Sequence, residues 1–268
     1  MRFDEDYLRE LELWPMFALK GADAAPAQAA HPAPHEAGVQ AVDAAARRPA
    51  AAAVPRPAPV QAKAAAPAAI ADPARAAQIM ALDWAGLARE TAACTACGLC
   101  KQRRQAVLGV GALDAPWLFV GEGPGADEDA QGEPFVGQAG KLLDAMLAAA
   151  GLSRGREVYI ANVVKCRPPG NRTPSLEEAQ ACAPFLDRQI DLIQPRLIVA
   201  LGKTAVMRLT GSDASMASLR GKLHRYRDIP VIATYHPAYL LRNLPEKLKA
   251  WEDLVLARKA MAALVAGS

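Results

Sequence analysis

The five cysteines of this chain are spaced in a way that predicts a metal centre. Cys94 and Cys97 form a C-x-x-C pair, Cys166 follows after 68 further residues, and Cys182 follows after another 15. Four thiolates can hold either a zinc ion or a 4Fe-4S cluster. Zinc ribbons usually bring two close pairs together, whereas the second pair here is open, so the spacing favours the cluster. Cys100 is then a fifth thiol that the centre does not need; the alternative is that all five are ordinary buried thiols.

A glycine-rich segment with several carboxylates follows the apolar run at residues 117–120. It reads GEGPGADED, and its glycines let backbone amides approach a ligand closely. Glu122, Asp127, Glu128 and Asp129 make it acidic, and the Gly-Lys-Ser/Thr ending of a phosphate-binding loop is absent. The segment therefore suits a neutral, hydrogen-bonding ligand or the orientation of water. The alternative is an acidic surface turn.

Asn162 stands within the apolar run VYIANVV at residues 158–164. A buried asparagine needs hydrogen-bond partners, and its amide offers one acceptor and two donors. Such an amide can read the edge of a planar ligand that presents a donor beside an acceptor. The alternative is a core asparagine bonded to nearby backbone.

His236 ends another apolar run, at residues 231–235, and Pro237 restricts its backbone. A histidine held there can donate to an anion that develops during a reaction, although a lone histidine is more often a satisfied core residue. The four residues from position 239 form an apolar wedge beside this site, which is typical of proteins that extrude a base from DNA. They are Tyr239, Leu240, Leu241 and Arg242.

The elements that must position these residues alternate between strands and helices. Strands are predicted at residues 117–120, 158–164, 197–201 and 231–235. Helices are predicted at residues 141–150, from 175 onward and at 246–264. The second helix begins with a capping box of Ser175 and Glu178. The alternation predicts an α/β fold with a central, mostly parallel, four-stranded sheet, in which ligands bind beyond the carboxyl ends of the strands.

Upstream of residue 81 the composition changes twice. Residues 21–80 contain 27 alanines and 9 prolines, so they cannot bury a core and are predicted to form a disordered linker. Residues 1–20 are predicted to form a docking peptide, or alternatively a cap that folds back on the domain. The large side chains on one helical face of this peptide are Phe3, Tyr7, Leu11 and Trp14. Residues 81–268 are predicted to form the globular domain.

Charge and hydropathy limit the class of protein. The chain has 31 basic and 28 acidic residues, and its formal net charge of +3 is too small to argue for a nucleic-acid partner by itself. No run of about 18 apolar residues is present, so no membrane span is predicted. The acidic N-terminus lacks the basic and apolar regions of a secretory signal, which predicts a cytoplasmic protein with reduced thiols.

Five segments, in this order, resemble the family 4 uracil-DNA glycosylases, the iron–sulfur branch of the uracil glycosylase superfamily. They are CTACGLC, GEGPGADED, QGEPFVGQAGKLLD, IANVVKCRPPGNRTP and YHPAYLLRN. The resemblance runs from Cys94 to about residue 264. It implies a three-layer α/β/α fold of the uracil-DNA glycosylase type and an enzyme that cuts uracil off its deoxyribose in DNA.

The resemblance also implies how the base is bound. Phe135 stacks on a uracil that has been flipped out of the DNA, and Asn162 reads the Watson–Crick edge of that uracil. The backbone at Glu122 and Gly123 binds a uracil oxygen. His236 stabilises the negative charge that develops on O2 as the N-glycosidic bond breaks.

Further implied roles concern water, the cofactor and the DNA. Glu128 and Asn171 together position or activate water, and Glu133 replaces an arginine that is common in the family. The implied ligands of a 4Fe-4S cluster are Cys94, Cys97, Cys166 and Cys182. The residues implied to fill the hole left by the flipped base are Tyr239, Leu240, Leu241 and Arg242.

The implied activity is that of a monofunctional glycosylase, because no lysine nucleophile matches the site. It leaves an abasic site for base excision repair. The expected partners are uracil-containing DNA and, through residues 1–20, a repair or replication protein, and the chain is expected to be a monomer. One alternative is a non-catalytic iron–sulfur module that binds DNA or senses damage, and another is a zinc-stabilised nucleoside hydrolase. The joint presence of Phe135, Asn162 and His236 favours the enzyme.

Overall fold

A computed structural model describes residues 72–266 of the chain. The predicted docking peptide at residues 1–20 and linker residues 21–71 lie outside the described part. The described helices are α1 (Pro73–Met80), α2 (Trp84–Ala93), α3 (Ala126–Gln131), α4 (Gln138–Ala149), α5 (Leu176–Ile193), α6 (Lys203–Thr210), α7 (Met216–Leu219), α8 (Pro237–Leu240) and α9 (Lys247–Ala266). None of these helices is long and apolar enough to cross a membrane.

A sheet with the spatial strand order β1-β3-β2-β4-β6-β5 forms the centre of the fold. Its strands are β1 (Val110–Gly111), β2 (Trp117–Gly121), β3 (Val158–Asn162), β4 (Leu197–Leu201), β5 (Leu223–Tyr226) and β6 (Ile229–Thr234). The four inner strands run parallel, and each edge strand is antiparallel to its neighbour. The prediction of a mostly parallel sheet is confirmed, and the four predicted strands are the inner ones.

The two edge strands extend the sheet to six strands, two more than predicted. β1 contains only two residues, and a Cβ on Gly111 would lie 2.2 Å from the carbonyl oxygen of Val158. β5 reads LHRY, alternates between exposed and half-buried residues, and pairs with β6. Neither segment has the apolar run that marks the inner strands, so hydrophobic patterning does not reveal them.

Helices cover both faces of the sheet, which confirms the three-layer α/β/α architecture. Successive residues of β2 point to opposite faces. Phe119 packs among side chains of α4 and α9, whereas Leu118 packs among side chains of α1, α2 and α5. The inner strands are buried almost throughout, as expected for parallel strands covered on both faces.

Helix α1 corrects the predicted extent of the linker. Residues 73–80 are helical, so the prediction that disorder reaches residue 80 is wrong for this segment. Asp72 caps the helix by accepting a hydrogen bond from the amide of Ala74 at 3.0 Å, and Pro73 occupies the first turn, where its missing N–H costs nothing. Ile79 is 1% exposed and joins the core beside α5. Alanine content alone does not distinguish this segment from those without a core partner.

Helix α5 begins with the predicted capping box. The amide of Glu178 donates to Ser175 Oγ at 3.2 Å, and the amide of Ser175 donates to Glu178 Oε2 at 2.8 Å. The predicted helices at 141–150 and 246–264 are confirmed as α4 and α9, with ends that differ by a few residues. These helices pack on the strands whose carboxyl ends carry the candidate site.

Candidate active site and cysteine cavity

One cleft of about 580 Å³ opens at the carboxyl ends of the parallel strands. Its size is that of a small-molecule site. The predicted site residues that line it are Glu122, Gly123, Glu128, Phe135, Asn162, Asn171, His236, Tyr239 and Arg242. The fold therefore brings together residues from segments that are up to 120 positions apart in the sequence.

Asn162 is the last residue of β3 and pairs with Gly121 at the end of β2. Its side chain is 2% exposed, and its Oδ1 atom has no hydrogen-bond partner among residues 72–266. A Cβ on Gly121 would lie 2.5 Å from this oxygen and 2.6 Å from Cζ of Phe135. Glycine at position 121 thus leaves room for both groups. A buried acceptor without a partner in the cleft is suited to a donor on a ligand.

Phe135 lies between α3 and α4 and is 6% exposed. Its ring stacks against the ring of His236, with centroids 5.4 Å apart and an interplanar angle of 28°. Its backbone φ of 56° lies in the left-handed region, which is unusual for a bulky residue. The aromatic face predicted to stack on a base is therefore in the cleft, carried by strained backbone.

His236 caps the N-terminus of α8. Its Nδ1 accepts a hydrogen bond from the amide of Ala238 at 3.1 Å, so the ring proton lies on Nε2. The pKa of His236 is lowered to about 4, mainly by burial and to a smaller extent by the nearby positive charge of Arg242, while Glu128 opposes the shift. Near neutral pH the ring is therefore uncharged and has one N–H to donate.

Glu128 is bonded to backbone through both carboxylate oxygens. Its Oε2 accepts from the amide of Gly125 at 3.0 Å, and its Oε1 accepts from the amides of Val136 and Gly137 at 3.0 and 3.1 Å. These bonds fasten the segment that follows Phe135. The structure gives Glu128 this holding contact, while its predicted action on water stays a prediction.

The remaining predicted residues form the walls of the cleft. Glu122 Oε2 accepts a hydrogen bond from Thr204 Oγ1, which ties the end of β2 to α6. A Cβ on Gly123 would lie 2.7 Å from Val164, so bare backbone is required there. Asn171 accepts a hydrogen bond from Arg167 Nε at 2.7 Å through Oδ1. Their proposed contacts with uracil and water stay predictions.

The residues of the predicted wedge, 239–242, differ in exposure because the single helical turn of α8 directs their side chains differently. Tyr239 and Leu241 are 37% and 41% exposed, whereas Leu240 is 1% exposed. Leu240 packs in the core with α4 and α9, so the prediction that it contacts DNA is wrong. Successive residues of a helical turn point in different directions, which a reading of the segment as one exposed strip ignores. Tyr239 stacks on Tyr235 with ring centroids 5.0 Å apart.

The five cysteines border a second cavity, on the face of the sheet that α1, α2 and α5 cover. Cys94 follows α2, Cys97 directly precedes the 3-10 turn Gly98–Lys101, and Cys100 lies within that turn. Cys166 follows β3, and Cys182 lies on α5. Within residues 72–266, no three His, Cys, Asp or Glu side chains are grouped so that they could hold a single metal ion. All five cysteines nevertheless line the same cavity.

Two arginines that the sequence reading missed contact the cysteine sulfurs. Arg103 donates to Cys166 Sγ at 2.9 Å, and Arg75 of α1 donates to Cys94 Sγ at 3.3 Å. The amide of Lys165 donates to Cys182 Sγ at 3.3 Å. Hydrogen bonds of this kind tune thiolate ligands of metal centres. Arg75 stands 19 positions before Cys94 in an alanine-rich segment, and no local pattern indicates it.

Lys165 links the two cavities and was also missed. Its side chain is 1% exposed, and its Nζ donates to the carbonyl oxygen of Asn162 at 2.8 Å and to Gln189 Oε1 at 2.5 Å. Burial lowers the pKa of Lys165 to about 8. A lysine in the run NVVKC, between a base-reading candidate and a cysteine, is the signal that could have indicated it.

Comparison with known proteins places the chain in a family. Residues 108–255 match the model of the family described as the uracil DNA glycosylase superfamily. The type-4 uracil-DNA glycosylase of Thermotoga maritima is 50% identical over 169 residues, which are 62% of this chain and 88% of that protein. The type-4 enzymes of Pyrobaculum aerophilum and Archaeoglobus fulgidus are 44% and 45% identical, over 61% and 58% of this chain and 87% and 81% of their own lengths. On this similarity, the chain belongs to the uracil DNA glycosylase superfamily.

Proposed function

We propose that this protein is a monofunctional uracil-DNA glycosylase. It hydrolyses the N-glycosidic bond of deoxyuridine in DNA and leaves an abasic site for base excision repair. The observation that carries the proposal is the buried Oδ1 of Asn162, which has no partner among residues 72–266 and shares a cleft with Phe135 and His236. The sequence similarity to type-4 uracil-DNA glycosylases extends over most of the same domain.

Recognition of uracil follows from the hydrogen-bonding capacity of Asn162. The Oδ1 atom accepts from N3–H of uracil, and the amide nitrogen donates to O4. Cytosine presents an acceptor at N3 and a donor at position 4, so the same orientation would leave both pairs mismatched. The ring of Phe135 supplies the stacking surface for the flipped base.

Bond cleavage requires charge stabilisation on the leaving base. The transition state resembles an oxocarbenium sugar and a uracil anion, and the Nε2–H of His236 donates to the developing charge on O2. A neutral histidine is suited to this task because it stays a donor without losing its proton to the departing base. The backbone at Glu122 and Gly123 lines the same cleft and adds polar groups to it.

The monofunctional assignment agrees with the environment of the lysine nearest the cleft. Lys203 lines the cleft, but its Nζ donates to the carbonyl oxygen of Ala214 and pairs with Asp213 at 3.0 Å. A lysine engaged in this way is a poor nucleophile toward the sugar. Water is therefore the expected attacking group, with Glu128 and Asn171 as its proposed positioning residues.

We propose that the second cavity holds a 4Fe-4S cluster. All five thiols line this cavity, and sulfur atoms of Cys94, Cys166 and Cys182 accept the hydrogen bonds described above, which supports thiolate ligation. We propose Cys94, Cys97, Cys166 and Cys182 as its ligands. When bound, the cluster would supply structural cross-links between α2, the segment after β3 and α5.

The assignment of ligands predicts opposite results for two cysteines. A Cys100→Ser variant is expected to keep about four irons per chain and its broad absorbance near 400 nm, roughly as in the parent protein. A Cys182→Ser variant is expected to lose most of both, because a proposed ligand is removed. Iron analysis of anaerobically purified protein checks this, and loss of iron from Cys100→Ser with retention in Cys182→Ser would reverse the assignment.

The proposed activity is tested with an oligonucleotide that carries one U·G pair. The full chain, purified anaerobically, is expected to produce a strand break at the uracil only after alkali, and the matching T·G duplex is expected to stay intact. Asn162→Ala is expected to reduce excision by at least about 100-fold, because it removes both base-edge bonds. Gln102→Ala, which removes an exposed amide outside the cleft, is the matched control.

The outcomes separate the proposed enzyme from its alternative. Excision that survives Asn162→Ala unchanged would remove Asn162 from base recognition. An uncleaved oligonucleotide, together with an intact cluster and measurable DNA binding, would instead indicate a non-catalytic iron–sulfur module.

A further inference from the structure

The backbone of Phe135 needs support from outside its own segment. Its φ of 56° is strained for a bulky side chain, and such strain persists only where surrounding contacts hold it. The ring is 6% exposed and faces the cleft beside Asn162 and His236. The groups that hold this backbone therefore decide where the stacking surface lies.

Arg154 holds the carbonyl side of this segment. The residue lies in the connection between α4 and β3, outside the five segments that resemble known glycosylases. Its Nη1 donates to the carbonyl oxygen of Pro134 at 2.8 Å, and its Nη2 donates to the carbonyl oxygen of Phe135 at 2.8 Å. Its Nε donates to Asp144 on α4 at 3.0 Å. One guanidinium thus bridges two successive carbonyls to a helix.

The amide side of the same segment is held by Glu128. Its Oε1 atom accepts from the two amides that follow Phe135. A cation on the carbonyls and an anion on the amides match the polarity of the backbone they bind. Gly140 of α4 packs directly against this segment. A Cβ at position 140 would lie 1.9 Å from the carbonyl oxygen of Phe135, so only glycine fits there.

We propose that Arg154 is a positioning residue that sets the plane and depth of the base-stacking ring. The inference rests on the proposed glycosylase function, and it assigns no contact between Arg154 and DNA. A planar, forked side chain is required, since lysine has a single ammonium and cannot span two carbonyls and Asp144 in fixed geometry. Loss of the fork lets Phe135 leave its strained conformation and misplaces the base.

The test compares Arg154→Gln and Arg154→Lys with Arg156→Gln. Arg156 is a close neighbour with a 78% exposed side chain that pairs with Glu157, so it controls for the loss of one positive charge. Arg154→Gln is expected to lower single-turnover excision from a U·G duplex by about 100-fold, as a misplaced reactant does. Inhibition by free uracil is expected to weaken at least about tenfold. Arg154→Lys is expected to recover part of both losses.

Free uracil separates positioning from general stability. A purely structural role would lower excision in proportion to the folded fraction and leave the inhibition constant of uracil unchanged, which would overturn the proposal. Rates and inhibition for Arg154→Gln within twofold of Arg156→Gln would overturn it as well. If Arg154→Gln does not fold, Asp144→Asn, at a 51% exposed position, is measured instead. It is expected to lower excision and uracil inhibition several-fold, and no change in either would also reject the role of Arg154. Failure of the parent protein to excise uracil would contradict the proposed function instead.

Discussion

His236 differs from a surface histidine in ways that bear directly on its proposed role. The amide of Ala238 occupies its Nδ1, and burial keeps its pKa near 4. A charged imidazolium would bind a uracil anion strongly but would also lose its proton to the base. The neutral ring donates one hydrogen bond from a fixed direction, which is the geometry that preorganised charge stabilisation requires.

The pH dependence of excision follows from this neutral state. Because burial lowers the pKa of His236 to about 4, the ring stays uncharged between pH 8 and 6. Ionisation of His236 is therefore expected to cause no change in the rate of single-turnover excision across that range. Its effect on the rate is expected to appear only as the pH approaches 4. His236→Ala is expected to lower the rate by about 100- to 1000-fold, as loss of an anion-stabilising donor does. A titration of the rate with a midpoint at about pH 6.5 that disappears in His236→Ala would contradict the neutral assignment.

The same shift has a consequence for stability. The unfolded chain binds a proton on this histidine near its ordinary pKa of about 6.5, whereas the folded chain does so only near 4. The contribution of His236 to stability is therefore complete above pH 6.5 and is lost as the pH falls from 6.5 toward 4.

At the scale of elements, the site depends on how helices meet the strand ends. Helix α4 seats the carbonyl of Phe135 against Gly140, and the single turn of α8 turns Leu240 inward while leaving Tyr239 and Leu241 exposed. The helical turn of α8 thus places neighbouring residues in the core and on the surface. The distance from α4 to the Phe135 backbone is the tightest of these fits.

Gly140→Ala tests that fit. Its Cβ would lie 1.9 Å from the carbonyl oxygen of Phe135, so the backbone must move away from the strained conformation that Arg154 holds. Excision is expected to fall at least about tenfold, and the free energy of unfolding is expected to fall by about 1–3 kcal/mol, as overpacking typically costs. Urea unfolding and single-turnover rates measure the two effects.

Gly98→Ala is the matched control for Gly140→Ala. A Cβ on Gly98 meets nothing within 4 Å, so its excision rate is expected to stay near that of the parent protein. Equal losses in the two variants would mean that the contact with Phe135 is unimportant.

The sequence indicates the site residues that lie at strand ends. It does not indicate the residues that support the site through contacts with distant backbone. Asn162 and His236 are recognisable because each interrupts or ends an apolar run, and parallel strands bring such ends together. Arg154 binds backbone carbonyls, which any residue possesses, so its partners leave no trace in side-chain patterns. Leu240 is misread because its direction depends on a helical turn of only four residues.

At the scale of the whole molecule, the described domain contains both cavities and all five cysteines. Helix α1 belongs to it as well, since Arg75 donates to the carbonyl oxygen of Ala181 at 2.8 Å and to Cys94 Sγ, and its guanidinium lies 5.1 Å from the ring centroid of Phe185. The domain therefore includes α1, which starts about eight residues before the boundary that composition indicates.

Two truncations test this boundary. A chain of residues 72–268 is expected to excise uracil within about twofold of the full chain, because it retains every residue that lines the two cavities. A chain of residues 82–268 loses α1 and, with it, the hydrogen bond from Arg75 to Cys94. The absorbance of its proposed cluster at about 400 nm is therefore expected to decay faster in air. Equal decay in both would show that α1 does not protect the cluster, and loss of excision in the longer one would give the N-terminal residues a part in catalysis.

The placement of the cysteines also sets an order of events during biosynthesis. The last of them, Cys182, leaves the ribosome 54 residues before His236, counted as 236 minus 182. At about 5–20 residues per second, this interval lasts roughly 3 to 11 s. Assembly of the proposed iron–sulfur cluster can therefore begin on a nascent chain whose His236 has not yet left the ribosome. A polypeptide released early, between these two positions, would carry every thiol but lack His236, and, on the proposed ligand set, would compete with the finished protein for the cell's supply of iron and sulfide.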